Sequence, residues 1–190
     1  MKNRKEKGQF GYRDAHRKAQ LGKILLGACL ILLQLAARGF TNNPSTKNIL
    51  TVMAVLSVLP TANVASPLLA SWRYRTPSMD FYQNVRVHDS DYPILYDLIL
   101  TTKEQIMPMD AIAVHPLGTY AYCTAAKLDT KKAEKSLNEL LRLQKLNPTA
   151  KIISDEKAFL NRLDSLKPAA EFPDDGSTDT TIAFLKSMSM

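Results

Sequence analysis

Two aspartates set in apolar sequence are the residues best placed to do chemistry in this chain. Asp97 interrupts the run Ile94–Leu100, and Asp110 opens the run Ala111–Val114. An ionised carboxylate is costly to bury unless it is paired or hydrogen-bonded. Asp97 therefore either meets Asp110 across a sheet, forming an acidic centre, or faces water, and facing water is the simpler expectation. His115 closes the second run, before Pro116. A catalytic histidine would suit that position, and so would one satisfied within a hairpin. His88, Asp89 and Asp91 carry metal-ligating groups at short spacing, but the Pro-bounded stretch around them reads as a solvated loop. Lys103, Glu104 and Lys127 are expected to solvate one end of the same sheet. Cys29 and Cys123 lie in regions of opposite polarity, so they form no disulfide framework, and no Cys/His cluster has zinc spacing.

The elements that must position these residues follow from periodicity. Ser78 is a candidate N-cap for a helix over Met79–His88. Ile94–Leu100, Asp110–His115 and Thr119–Cys123 read as strands, with Pro116–Gly118 as the hairpin turn between the last two. Asp129 or Thr130 starts a helix to about Leu146, with Ala133, Leu137, Leu140 and Leu141 as its apolar stripe. Asn147-Pro148 stops it. Ala150–Ser154 is a fourth strand, Asp155 caps a helix carrying Phe159, Leu160, Leu163 and Leu166, and Ser177 caps a last one. The order is α-β-β-β-α-β-α-α, a small α/β domain over residues 76–190.

The first 75 residues are of another kind. Asn48 to Trp72 is a run of 25 residues without a charge, and Ile24–Ala37 is a second uncharged run. A spanning helix needs about 20 mostly apolar residues. The second run meets that length outright. The first meets it over 21–40, with Lys23 and Arg38 snorkelling. The chain is thus read as an α-helical transmembrane hairpin, about 21–40 and 48–72, behind a basic leader of residues 1–20. A cleaved signal peptide and a buried soluble core are the weaker readings. Asn63 offers an alternative early end to the second span.

Charge orients the hairpin. Residues 1–75 carry net +10, and residues 76–190 carry net −3. The loop around Thr41–Thr46 is uncharged, which places both termini in the cytoplasm and the loop outside, in a multi-pass cell-membrane protein. The basic leader and the interfacial pair Trp72 and Tyr74 point to membrane lipid as a partner, in preference to nucleic acid.

The element order resembles the restriction-endonuclease-like fold, in particular the nuclease-related domains of some bacterial membrane proteins. Pro108-Met-Asp110 and Ala111–Gly118 match the family's aspartate, strand and glycine turn. The resemblance covers about residues 79–154. It implies a divalent cation held by carboxylates and a lysine that orients water. Cys123 and Ala125 stand where that family has its glutamate and lysine, and Lys127 lies two residues out of phase. The resemblance therefore implies a degenerate version that does not cleave. The whole chain also resembles a family of small two-span membrane proteins of gut Firmicutes. The motifs are Val58-Leu-Pro60, Thr101-Thr-Lys103, Pro108-Met-Asp110, His115-Pro-Leu-Gly118, Asp129–Ala133, Asp155-Glu-Lys157 and Ser165–Pro168. Some members of that family are labelled O-linked N-acetylglucosamine transferase-like, but this chain has no helical repeat array or nucleotide-sugar domain to support transfer chemistry.

The expectation is a membrane-anchored, non-catalytic module whose cytoplasmic domain binds a protein partner or a second copy, without cofactor or metal. The alternative is a membrane-surface enzyme, a nuclease-like hydrolase or a glycosyl-transfer protein. Its candidate residues are Asp97, Asp110, His115 and Lys127.

Overall fold

The computed structural model describes residues 5–102, 105–125, 128–173 and 175–190. Two long apolar helices precede a small mixed α/β domain with a four-stranded sheet. The chain divides into two compact units, Asp14–Tyr74 and a second built from Arg75–Met190 together with the residues up to Arg13. The domain is therefore discontinuous. Its first strip of chain comes before the helical pair and the rest comes after it.

The helical unit consists of α1 (Tyr12–Phe40) and α2 (Pro44–Ser71), both long and apolar enough to cross a membrane. At 1.5 Å per residue each is about 42 Å long, longer than a hydrocarbon core of about 30 Å. Both helices start earlier than hydropathy alone implies. Asn43 caps α2 by accepting from the Ser45 N–H, with Pro44 at the first helical position. α2 continues to Ser71, so Asn63 does not end it. The seam between the helices uses small and hydroxyl side chains. A methyl group on Gly27 would lie 2.3 Å from Thr61 Oγ1. Gln34 Nε2 reaches Ser57 Oγ at 3.3 Å, and Ala54 and Leu68 are buried.

In the domain, α3 (Met79–Arg86) leads to β1 (Ile94–Thr101), β2 (Ile106–His115) and β3 (Gly118–Tyr122). Then come α4 (Thr130–Leu143), β4 (Ala150–Ile153), α5 (Glu156–Asp164) and α6 (Ser177–Met188). The sheet order is β1-β2-β3-β4. Only the β3–β4 pair is parallel. β2 starts four residues before Asp110 and includes Pro108. β3 covers β2 only from Ala111 onward, so Pro108 has a strand on one side alone, where a missing N–H is tolerated. The last helix is capped differently from expectation. Gly176 is its cap residue, at φ +70°, and the Asp175 carboxylate accepts the Ser177 N–H.

Each face of the sheet carries a core. Leu137 and Leu141 of α4 and Leu185 of α6 pack on one face, with Leu98, Met109 and Ile112. On the other, Phe81 of α3 and Phe159 of α5 pack with Tyr96, Tyr120 and Tyr122. Strand alternation breaks once in each of two strands. Leu95 shares a core with Leu98, and Met109 with Ile112, each three residues apart. A strict period of two would place them on opposite faces. The slips fall at Asp97 and Asp110, which occupy matching positions between the pairs Tyr96–Ala111 and Leu98–Met109.

Both sheet edges are closed. Gly8 bridges to Tyr96 and Ser189 to Leu100 along the outer edge of β1. On β4, Asn138 of α4 bonds both the N–H and the C=O of Ala150, and Glu134 accepts the Ile152 N–H. Strand addition by another chain is blocked where these groups are taken.

Candidate functional site

The two aspartates meet around an arginine that the sequence reading left in the leader. Arg13 is the second residue of α1, yet it is 6% exposed, with Asp97 at 1% and Asp110 at 3%. Its Nη1 donates to Asp110 Oδ1 at 2.6 Å and to the Arg75 carbonyl at 3.0 Å. Its Nη2 donates to the carbonyl oxygens of Leu98, at 3.0 Å, and Met109. Its Nε lies 3.8 Å from Asp97 Oδ1. The guanidinium thus enters the gap where the β1–β2 ladder slips and takes a carbonyl from each strand. Five donors in a rigid fork suit arginine to this place, and lysine would not span it.

Each carboxylate has further partners. Asp97 Oδ2 accepts the Gly11 N–H at 2.6 Å and the Thr76 hydroxyl at 2.8 Å. Asp110 Oδ2 accepts the N–H and hydroxyl of Thr124, at 2.9 and 2.7 Å. Asp97 holds φ at +58°, the left-handed region that a short polar side chain tolerates better than a branched one. Burial pushes its carboxyl above the usual range. The Arg13 charge and the bonds from Thr76 and Gly11 oppose that rise, and Asp110 adds to it. One cation faces two acids, which acts in the same direction as burial. Burial also pushes up the Cys123 thiol beside this centre, which leaves it a poor nucleophile.

The geometry acts as a latch. Gly11 and Arg13 lie just before the helical unit in the chain, and Arg75 and Thr76 lie just after it. All four bond to the Asp97–Asp110 pair or to each other. The same site that a cation would occupy between facing carboxylates holds the protein's own guanidinium. Among the described residues, Asp97 Oδ1 and Arg13 Nε are the buried side-chain polar atoms of this centre without a hydrogen bond, and they face each other as an ion pair.

The expected site residues divide as follows. Asp97 does not face water; it is fully buried and paired, because the ladder slip turns it toward Arg13. Asp110 lies in mid-strand, beside it. His115 sits elsewhere, 4% exposed. Its Nδ1 accepts the Leu117 N–H at 3.1 Å, so Nε2, 2.9 Å from the Lys167 carbonyl, carries the proton. The rings of Tyr92 and Phe172 meet it edge-on, and both its nitrogens are committed to structure. Lys127, Lys103 and Glu104 lie outside the described residues. His88 pairs with Asp164 at 3.4 Å instead of joining Asp89 and Asp91. Asp89 accepts the Tyr96 hydroxyl at 2.7 Å, and burial together with that bond pushes the Tyr96 phenol up. Among the described residues no three acids, histidines or cysteines are grouped to hold a metal. Trp72 lies under the Arg17 guanidinium, at 5.2 Å.

Arg13, Thr76 and Thr124 were not singled out by sequence reasoning. Arg13 looks like any other charge of a basic leader. The signal that was available is the three-residue spacing of Leu95/Leu98 and Met109/Ile112, which marks a paired slip at the two aspartates. No family model, curated protein or solved structure matches this chain.

Proposed function

We propose that this is a membrane-anchored, non-catalytic module, whose hairpin fixes an α/β domain at the cytoplasmic face for binding a protein partner. One observation carries the reading. The domain includes chain from before and after the two apolar helices, latched by Arg13, Asp97 and Asp110. Both ends of the helical pair then belong on one side of a bilayer, which suits a hairpin of two crossings and not a single anchor. The net +10 of residues 1–75 selects the cytoplasmic side. A partner docks on helix faces, because both sheet edges are occupied. Membrane lipid meets the basic residues and Trp72 at the interface.

The facing carboxylates also favour a second reading, a nuclease-like hydrolase. Arg13 argues against it, since a cation would have to displace a guanidinium bonded to both strands. Reporters decide the first point. One at Asn43 should read outside and ones at Met1 and Met190 inside, and an external C-terminus would overturn the hairpin. Cleavage of DNA or RNA by the purified chain with Mg²⁺ or Mn²⁺, abolished by Asp110→Asn, would establish the hydrolase instead.

A further inference from the structure

The outer face of α2 carries polar groups that no described residue satisfies. Asn63 is exposed, and among the described residues its carboxamide has no hydrogen-bond partner. Pro60 and Pro67 lie inside the helix and have no N–H. The carbonyls four residues earlier, of Leu56 and Asn63, therefore lose their ladder bonds. The nearby hydroxyls bond elsewhere: Ser57 to the Met53 carbonyl, Thr61 to that of Ser57, Ser71 to that of Pro67. Leu56 and Asn63 are seven residues apart, within about 20° of each other around the helix. Leu56, Leu59, Asn63 and Ser66 are all exposed, whereas Ser57 and Thr61 meet α1 and Ala54 and Leu68, on the same side of the helix, are buried. The unsatisfied groups thus form one stripe, pointing away from the hairpin seam.

This stripe lies at hydrocarbon depth if the hairpin spans, the reading the inference rests on. The contacts Gly27–Thr61, Gln34–Ser57 and Arg17–Trp72 set Asn63 level with about residue 26 of α1. That is about 5 Å further into the apolar stretch than Lys23, the nearest charge on α1. Lipid tails offer neither donor nor acceptor, and polar groups left there draw helices together.

We propose that α2 associates with α2 of a second copy of this chain, through the Asn63 carboxamide and the Asn63 carbonyl freed by Pro67. The electrostatic complementarity is internal to the stripe. The Asn63 carboxamide supplies two N–H donors and one acceptor, and the Asn63 backbone carbonyl supplies one more acceptor at the same level of the helix. Under a two-fold axis each copy's donors meet the other's acceptors, giving a self-complementary interface of the kind closed dimers use. No separate partner with matching groups is required.

The test uses the full chain in native membranes, in a Cys29→Ser background. Ser66→Cys on the stripe should form a disulfide-linked dimer on mild oxidation, and Ala54→Cys on the α1-facing side should not. Donor–acceptor energy transfer between labelled full chains in phosphatidylcholine–phosphatidylglycerol vesicles should show dimers diluted away with added lipid. Asn63→Leu should raise the dissociation constant about fivefold, equivalent to about 1 kcal/mol, and Asn63→Gln should restore it in part. Carbonate extraction and the Asn43 reporter report separately on spanning. A chain that spans but stays monomeric, or dimerises equally well as Asn63→Leu, overturns the proposal alone. Cross-linking of Ser66→Cys to a different protein replaces the second copy with that partner. A chain released by carbonate overturns the spanning reading itself.

Discussion

The domain and the helical pair solve one problem in opposite ways. Each packs polar groups between its elements. The domain buries full charges, Arg13 against Asp97 and Asp110, and surrounds them with hydrogen bonds from Gly11, Thr76, Thr124 and two strand carbonyls. The helical pair uses Gly27, Ser57, Thr61 and Gln34 along its seam, with a charged residue, Arg17, stacked on Trp72 near one end. A buried charge network adds little net stability, yet losing one member leaves the others stranded. A seam of small residues loses in smaller steps. The difference teaches where the molecule is brittle: at the point where the domain holds both ends of the helical pair, and not along the helices.

The largest break follows from the discontinuous domain. A fragment starting at Thr76 looks complete by its strands and helices. It lacks Arg13, so two buried carboxylates lose their cation, and it loses the Gly8 bridge on β1 as well. Such a fragment should aggregate or melt without a cooperative transition. Fusing residues 5–13 through a Gly/Ser linker to residue 75 should restore a single transition by circular dichroism. Within the full chain, Arg13→Ala should destabilise the domain by about 3–5 kcal/mol. A free fragment that folds as well as the fusion would remove the latch from this account.

The two aspartates sharpen the comparison, because they are not equivalent. Asp110→Asn removes the 2.6 Å bond to Arg13 and disturbs the two bonds from Thr124, and should cost about 3 kcal/mol. Asp97→Asn removes a carboxylate that burial already disfavours, and should cost about 1 kcal/mol or less. The pH dependence has a definite sign. The folded-state value of Asp97 is raised above its unfolded value, so the native state binds its proton more tightly. Its contribution is full below the unfolded value and is lost as pH rises through the folded one. The melting temperature of the wild-type chain relative to Asp97→Asn should therefore rise as pH falls through the carboxylate range. A relative fall on acidification would mean that Asp97 is held ionised.

The smallest effect belongs to the helical pair. Gly27→Val would press on Thr61 and part the seam, costing about 1 kcal/mol as measured by thermal unfolding of the hairpin in detergent. The domain should keep its own transition. If that substitution unfolded the domain as readily as Arg13→Ala, the contrast between the regions would fail.

Periodicity and composition were enough for the helices, for the four strands and their order along the chain, apart from the first four residues of β2, and for two apolar segments of spanning length. Those properties depend on neighbours in sequence: a stripe every three or four residues, a proline or glycine at a boundary, a run without charge. The same local signals placed Ser78, Asn147 and Asp155 at or near real helix boundaries. They failed by one residue at Ser177, where Asp175 and Gly176 compete for the cap. They also failed for Asp97, because a carboxylate inside a strand reads as solvated until its cation is found. That cation lies 84 positions away, in a leader whose charges look alike. Pairing Arg13 with Asp97 and Asp110 required the sheet to bring β1 and β2 into register and the ladder to slip. It also required the chain on either side of the helical pair to return to one place. Long-range closure of this kind leaves almost no mark on local sequence, because its favourable terms arise only once water has been excluded from all three side chains together.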